Sequence, residues 1–267
     1  MEHSRFVILF FIFFSLAGLF VALSSSNGMS SSNDTQEWRT TLLDPEMAPE
    51  NIKPLVMQGF RILFDTKKHA PQYAGDEISC TNCHFNCGNT FGGENNGISL
   101  VGVTKKYPRA ILDNPHYTLE ERINACFTKS LNGKPVPLKS KEMKAMIAYL
   151  EWISKGVSNQ APWLGLKKLR SHAIPNAEKG NTLYQQHCAA CHGKDGEGQL
   201  RPDNLKYPPL WGNHSFNQAA GMNNLPTLAA FIYDNMPYQE PRLTVEEVLD
   251  IAAYITSQPR PIEIRTP

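Results

Sequence analysis

Two copies of Cys-x-x-Cys-His constrain this chain more than any other feature: Cys80-Thr-Asn-Cys83-His84 and Cys188-Ala-Ala-Cys191-His192. Two thiols three positions apart can add to the two vinyl groups of one haem. The histidine that follows then lies beneath the iron as proximal ligand. Zinc knuckles and redox dithiols also begin with Cys-x-x-Cys, but neither explains a histidine directly after the second cysteine in both copies. The sequence therefore predicts two covalently bound haem c groups. One is held by Cys80, Cys83 and His84, the other by Cys188, Cys191 and His192.

The surroundings of the two motifs also repeat. A Gly59–Phe64 segment precedes the first and a Gly180–Tyr184 segment the second. Ala148-Tyr149-Leu150 follows the first and Ala253-Tyr254-Ile255 the second, with Tyr149 65 residues after His84 and Tyr254 62 after His192. Repetition at that spacing predicts two units of one plan. The expected division is an N-terminal cytochrome c-like domain over 28–158 and a C-terminal one over 159–267, with the junction near Gly156 to Pro175.

Capping signals place the helices. Thr118-Leu-Glu-Glu121 and Thr244-Val-Glu-Glu247 have the capping-box pattern, in which the glutamate reaches back to the threonine amide. Leu119, Ile123, Cys126 and Phe127 then share one helical face, ended by Gly133, Pro135 and Pro137. Ser140 can cap a helix whose apolar face is Met143, Met146, Ile147, Leu150 and Ile153. The last helix turns Val245, Val248, Leu249, Ala252 and Ile255 inward. No long alternating run of β-branched residues is present, so no strand is expected. The fold class that follows is all-α, two cytochrome c-like domains with long loops around the haems.

Residues Phe6–Leu23 form an uncharged apolar run, preceded by Arg5 and followed by a polar tether, Ser24 to Gln36. Its length lies between a signal-peptide core of roughly 7–15 residues and a spanning helix of roughly 20. Residues 1–27 are accordingly read as a signal peptide or N-terminal membrane anchor. Either one exports the rest, and Arg5 marks the cytoplasmic side, so a periplasmic location is expected. With 26 Lys and Arg against 25 Asp and Glu, nothing suggests a nucleic-acid partner.

The remaining axial ligands decide what each haem can do. In the second unit Met236, in Tyr-Asp-Asn-Met-Pro, lies 44 residues after His192. His/Met ligation raises the reduction potential and suits electron transfer. Met222 is the rival. The first unit has Cys126 at nearly the same offset, 42 residues after His84, with Met143, Met146 and His116 as rivals. A thiolate donates electron density and lowers the potential.

At these residues the sequence resembles the periplasmic di-haem thiosulfate dehydrogenases. The matching words are Cys-Thr-Asn-Cys-His (80–84), Leu-Val-Gly-Val (100–103), Leu-Glu-Glu-Arg-Ile-Asn-Ala-Cys-Phe (119–127), Ser-Leu-Asn-Gly-Lys-Pro (130–135) and Ala-Tyr-Leu (148–150). The second unit adds Cys-Ala-Ala-Cys-His-Gly (188–193), Pro-Leu-Trp-Gly (209–212), Ser-Phe-Asn (215–217) and Asn-Met-Pro (235–237). The resemblance implies an active haem with His/Cys ligation by His84 and Cys126, and an electron-exit haem with His/Met ligation by His192 and Met236. It implies joining of two thiosulfates to tetrathionate, or the reverse, with a cytochrome or other redox protein as electron partner.

Thiosulfate is a dianion, which calls for guanidinium or ammonium groups beside the active haem. Arg122, one turn before Cys126, is the first choice. Arg109, Lys105, Lys106 and Lys129 follow it. Two positions depart from the family's pattern. Cys87 gives Cys126 a possible disulfide partner in an oxidising compartment. Asn235 stands beside Met236, where some members carry lysine. The alternative function is a non-catalytic di-haem electron carrier. A di-haem peroxidase would need an open distal site with acid–base residues, for which the sequence offers no clear set.

Overall fold

The structure, a computed structural model, describes residues 41–158, 160–201 and 206–262. The apolar run Phe6–Leu23 and its tether lie outside the described residues. Among the described residues no helix is long and apolar enough to cross a membrane.

The helices are α1 (Lys53–Phe64), α2 (Thr66–His69), α3 (Leu119–Ala125), α4 (Lys141–Ile153), α5 (Ala177–His187), α6 (Ala189–His192), α7 (Leu225–Asn235) and α8 (Val245–Ser257). Three expected caps are in place. Thr118 and Thr244 each close a full capping box, and the Ser140 hydroxyl accepts from Met143 N–H. Met143, Met146, Leu150 and Ile153 are buried on α4, as the periodicity requires, and Ile147 packs partly buried against the same core. On α8 the buried residues are Val248, Ile251, Ala252 and Ile255, while Val245 and Leu249 are only half-buried.

Helices dominate, but the expectation of no strands needs correction. Among the described residues two short antiparallel hairpins occur, β1 (Arg109–Ile111) with β2 (Asn114–Tyr117), and β3 (Gln199–Leu200) with β4 (Lys206–Tyr207). They are too short to show alternation. β1 is exposed along its whole length, so no buried face leaves a pattern to read.

Two helix crossings carry the architecture, and each turns on one glycine. α1 packs on α4 and α5 on α8. A Cβ at Gly59 would lie 2.1 Å from the Ala145 carbonyl oxygen and 2.7 Å from Tyr149 Cβ. A Cβ at Gly180 would lie 2.0 Å from the Asp250 oxygen and 2.9 Å from Tyr254 Cβ. In both crossings the helix backbones approach more closely than any side chain permits. The repeated Gly and Ala-Tyr words of the sequence thus face one another in three dimensions.

Around each crossing lies a separate apolar core. The first contains Val56, Ile62, Phe127, Met143, Met146 and Tyr149. The second contains Tyr184, Trp211, Phe231, Val248 and Ile251. Burial of side chains this large contributes about 1.5–3 kcal/mol each relative to exposure. The two buried tyrosine hydroxyls are not wasted: Tyr149 donates to Cys87 O at 3.1 Å and Tyr184 to Gly193 O at 2.6 Å. Both acceptors lie just after a Cys-x-x-Cys-His motif, so each core grips its own motif.

Candidate functional site

The two motifs fold into the same tight turn. His84 N–H reaches Cys80 O at 2.9 Å and Cys83 N–H reaches it at 3.2 Å; His192 N–H reaches Cys188 O at 2.9 Å and Cys191 N–H reaches it at 3.1 Å. Each histidine ring is then fixed by its Nδ1, on Ile98 O at 2.8 Å for His84 and on Pro208 O at 2.9 Å for His192. A carbonyl accepts only from a protonated nitrogen, so Nδ1 carries the hydrogen and Nε2 keeps its lone pair. Burial lowers His84 to about 4, with the Arg122 charge adding to the fall and the Ile98 bond opposing it. Burial likewise lowers His192. Both rings are neutral, oriented nitrogen donors beside a pair of free thiols, which is what covalent haem attachment requires. Among the described residues, no three His, Cys, Asp or Glu side chains converge to hold a bare metal ion.

The first motif has company. α3 runs directly into a π-helical turn, Cys126–Ser130, closed by Leu131 N–H on Cys126 O at 2.9 Å. Such turns recur at functional sites. Arg122 Nη1 donates to Cys126 Sγ at 2.8 Å. The Cys126 charge leads the causes that raise Arg122. Burial, and then the nearby Cys126 charge, push the Cys83 thiol up to about 12; Cys80 rises similarly, mainly through burial. Cys80, Cys83, His84, Arg122 and Cys126 therefore form one electrostatic cluster drawn from three segments of chain.

Cys87 and Cys126 form no disulfide; all six cysteines are free. Cys87 is fully buried, with its thiol 3.7 Å from Phe60 O, and belongs to the first core. The pairing that the sequence left open is not made: Cys87 packs in the first core and Cys126 meets Arg122.

The other sequence candidates scatter. Met143 and Met146 are buried core residues of α4. His116 is exposed in β2, where its N–H bonds Asn114. Lys105 and Lys106 end a 3-10 turn, and Lys129 lies in the π-helical turn. Arg109 is exposed on β1, its guanidinium 5.1 Å from the Tyr107 ring centre. Tyr107 in turn meets Tyr117 with centroids 6.2 Å apart. Burial raises the Tyr117 hydroxyl while the Arg122 charge holds it down. The chain Arg109, Tyr107, Tyr117, Arg122 thus leads from the surface to Cys126. Sequence reasoning missed the two tyrosines, which no motif marks.

At the second motif, Met236 is the C-terminal cap just after α7, half-buried and extended against the second core. Met222 sits buried in a 3-10 turn, Gly221–Asn223, against the same core.

Each motif lies within a matched family. Residues 69–158 match the SoxA/TsdA cytochrome c domain family and residues 177–259 the cytochrome c family. The thiosulfate dehydrogenase of Allochromatium vinosum is 38% identical over 212 residues, 78% of this chain and 78% of that one. That of Psychrobacter arcticus is 34% identical over 252 residues, 91% of this chain and 75% of its own length. Among solved structures, thiosulfate dehydrogenase (TsdBA) from Marichromatium purpuratum, in its as-isolated form, aligns with a TM-score of 0.76 at 31% identity. The alignment covers 84% of this chain and 50% of that one, so this chain spans half the length of that protein. Two matched cytochrome c domains, each with its own attachment turn, mean that the chain carries two covalently bound haem c groups. Identity of 34–38% over most of both chains, together with the two family matches, makes the chain a member of the di-haem thiosulfate dehydrogenase family.

Proposed function

We propose that this protein oxidises two thiosulfate dianions to one tetrathionate, or runs the reverse, and exchanges the two electrons with a cytochrome or other redox protein. The bond formed is sulfur–sulfur, and each thiosulfate gives up one electron. A bound haem supplies one-electron redox chemistry, so two of them match the stoichiometry.

The observation that carries this reading is the 2.8 Å contact between Arg122 Nη1 and Cys126 Sγ beside the first attachment turn. With the first haem bound, His84 and Cys126 would hold its iron, and a thiolate there would donate electron density and lower its potential. Arg122 spends one donor on that sulfur and keeps its remaining guanidinium donors for the substrate's sulfonate oxygens. Arg109, above Tyr107, draws the dianion inward from the surface. Met236 and His192 would hold the second haem, and that ligand pair would supply the higher potential suited to electron exit.

The domains follow the same division: 28–158 for the active haem and 159–267 for electron exit. Residues 1–27 direct export to the periplasm, as a cleaved signal or as an anchor.

The test is turnover of the purified holoprotein with thiosulfate and a one-electron acceptor such as ferricyanide. One tetrathionate should appear for every two acceptors reduced, and Cys126→Gly should stop it. A protein with both haems attached that draws no electrons from thiosulfate and returns none to tetrathionate would be a plain electron carrier.

A further inference from the structure

The last residue of α7, Asn235, is completely buried, and both ends of its amide are used. Its Nδ2 donates to Phe231 O at 3.0 Å, one turn back in its own helix. Its Oδ1 accepts from Gly97 N–H at 2.8 Å, 138 residues away in the first unit. Gly97 is no arbitrary partner. The next residue, Ile98, offers the carbonyl that fixes the His84 ring, and Ile98 N–H returns to Cys83 O at 3.0 Å. A Cβ on Gly97 would lie 2.8 Å from that same Cys83 oxygen, and its φ is +65°. The loop is therefore pressed onto the first attachment turn on one side and bonded to Asn235 on the other.

Further contacts follow the same seam. Asn95 N–H donates to Asp234 O at 2.8 Å, and Gln239 N–H donates to Asn95 Oδ1. Phe85, next to His84, meets Phe231 and Tyr238 edge-on at 5.9 and 5.7 Å. Met236 is bracketed by residues that grip the His84 loop, on its N-terminal side by Asp234 and Asn235 and on its C-terminal side by Tyr238 and Gln239.

We propose that Asn235 is a positioning residue that latches Met236 onto the second haem by bonding the Gly97–Ile98 loop that orients His84, so that the two axial ligand sets move as one unit. The proposal rests on Met236 being the second haem's ligand. A methionine held from both sides stays on its iron through a change of oxidation state, and the proximal ligand of one haem shares a bond path with the distal ligand of the other. Leaving Gly97 N–H buried without its acceptor costs more than the bond itself contributes, so the loop and α7 move apart when the amide is removed.

The experiment titrates the ferric holoprotein with imidazole while following the methionine–iron charge-transfer band. The paramagnetic signal of the thiolate-ligated haem is recorded alongside. Asn235→Ala should lose the band at about tenfold lower imidazole, equivalent to ~1.4 kcal/mol, and should displace the first haem's signal. Asn95→Gly keeps the positive φ of 71° and the backbone bond to Asp234. It removes only the acceptor for Gln239, so a smaller shift in the same direction is expected. If Asn235→Ala does not fold, Asn95→Gly decides alone. A band as resistant as the native one in the variants, or a first-haem signal unmoved in Asn235→Ala, overturns the latch while leaving the ligand assignment standing. Absence of the band in the native protein overturns the assignment of Met236, and the latch with it.

Discussion

The Arg122 guanidinium donates to the Cys126 sulfur at 2.8 Å, across one helical turn. Under the proposed ligation of the first haem by Cys126, a cation on that sulfur would draw electron density from it and oppose its lowering of the potential. Arg122→Ala should therefore lower the first haem's potential, by on the order of 60 mV for each tenfold change in the one-electron equilibrium. Substrate binding should weaken roughly ten- to a hundred-fold with the loss of a charge-assisted contact. Arg122→Lys should restore the charge but only part of the binding, since an ammonium lacks the planar fork. Redox titration and steady-state kinetics measure the two effects separately. An unchanged potential in Arg122→Ala would mean that the contact does not reach the iron.

Cys126→Met should keep both haems, because attachment needs only Cys80, Cys83 and His84 for the first and Cys188, Cys191 and His192 for the second. Mass spectrometry should find two haem adducts, the thiolate signature should vanish from the paramagnetic spectrum, and thiosulfate turnover should largely disappear. Full activity with an intact thiolate signature would remove Cys126 from the site.

Gly59→Ala and Gly180→Ala test the two crossings. Either methyl must push a helix off a carbonyl oxygen that lies 2.1 or 2.0 Å from it. Overpacking of this kind costs about 1–3 kcal/mol. At roughly 2–4 °C per kcal/mol for a chain of this size, the melting temperature should drop measurably for each. A melting curve that does not move would mean that the helices slide apart at no cost.

Glu121 caps the helix that carries Arg122 and Cys126. Its carboxylate accepts from the Thr118 amide at 2.6 Å and from Asn114 Nδ2 at 3.0 Å. The Thr118 bonds lead the causes that lower its pKa below the ordinary 4.5. A lowered folded-state value adds stability that is fully present above the ordinary value and is lost as pH falls through the folded one. The acid limb of unfolding should therefore flatten in Glu121→Gln below about pH 4.5, the ordinary value. An acid limb that keeps its full slope would assign the sensitivity elsewhere.

What the sequence made legible follows from what kind of interaction was involved. Attachment turns, caps and the apolar faces of α4 and α8 are local, so spacing alone reports them. Even the helix crossings left a trace, because a glycine facing Ala-Tyr was repeated. The pairing of Arg122 with Cys126 was visible as one turn of a helix. The bonds of Asn235 to Gly97 and of Asn217 to the Cys126 turn join positions 138 residues apart and 88 or 89 residues apart, and no periodicity records such a contact. Tyr107 and Tyr117 escaped for a similar reason, being brought together by a hairpin too short to announce itself. Asn235 was noticed only as a missing lysine. Its work lies in the bond it makes.

The π-helical turn that bears Cys126 is finished from outside its own half of the chain. Asn217 Nδ2 donates to Thr128 O at 2.8 Å and Asn217 N–H to Lys129 O at 3.0 Å. Synthesis runs from the N-terminus, so the residue that secures this turn leaves the ribosome some ninety positions after the cysteine it supports. The first half is therefore incomplete at birth. A gene cut between the halves should yield a first fragment with its haem attached and its Cys126 turn unsplinted, and adding the second fragment back should set it.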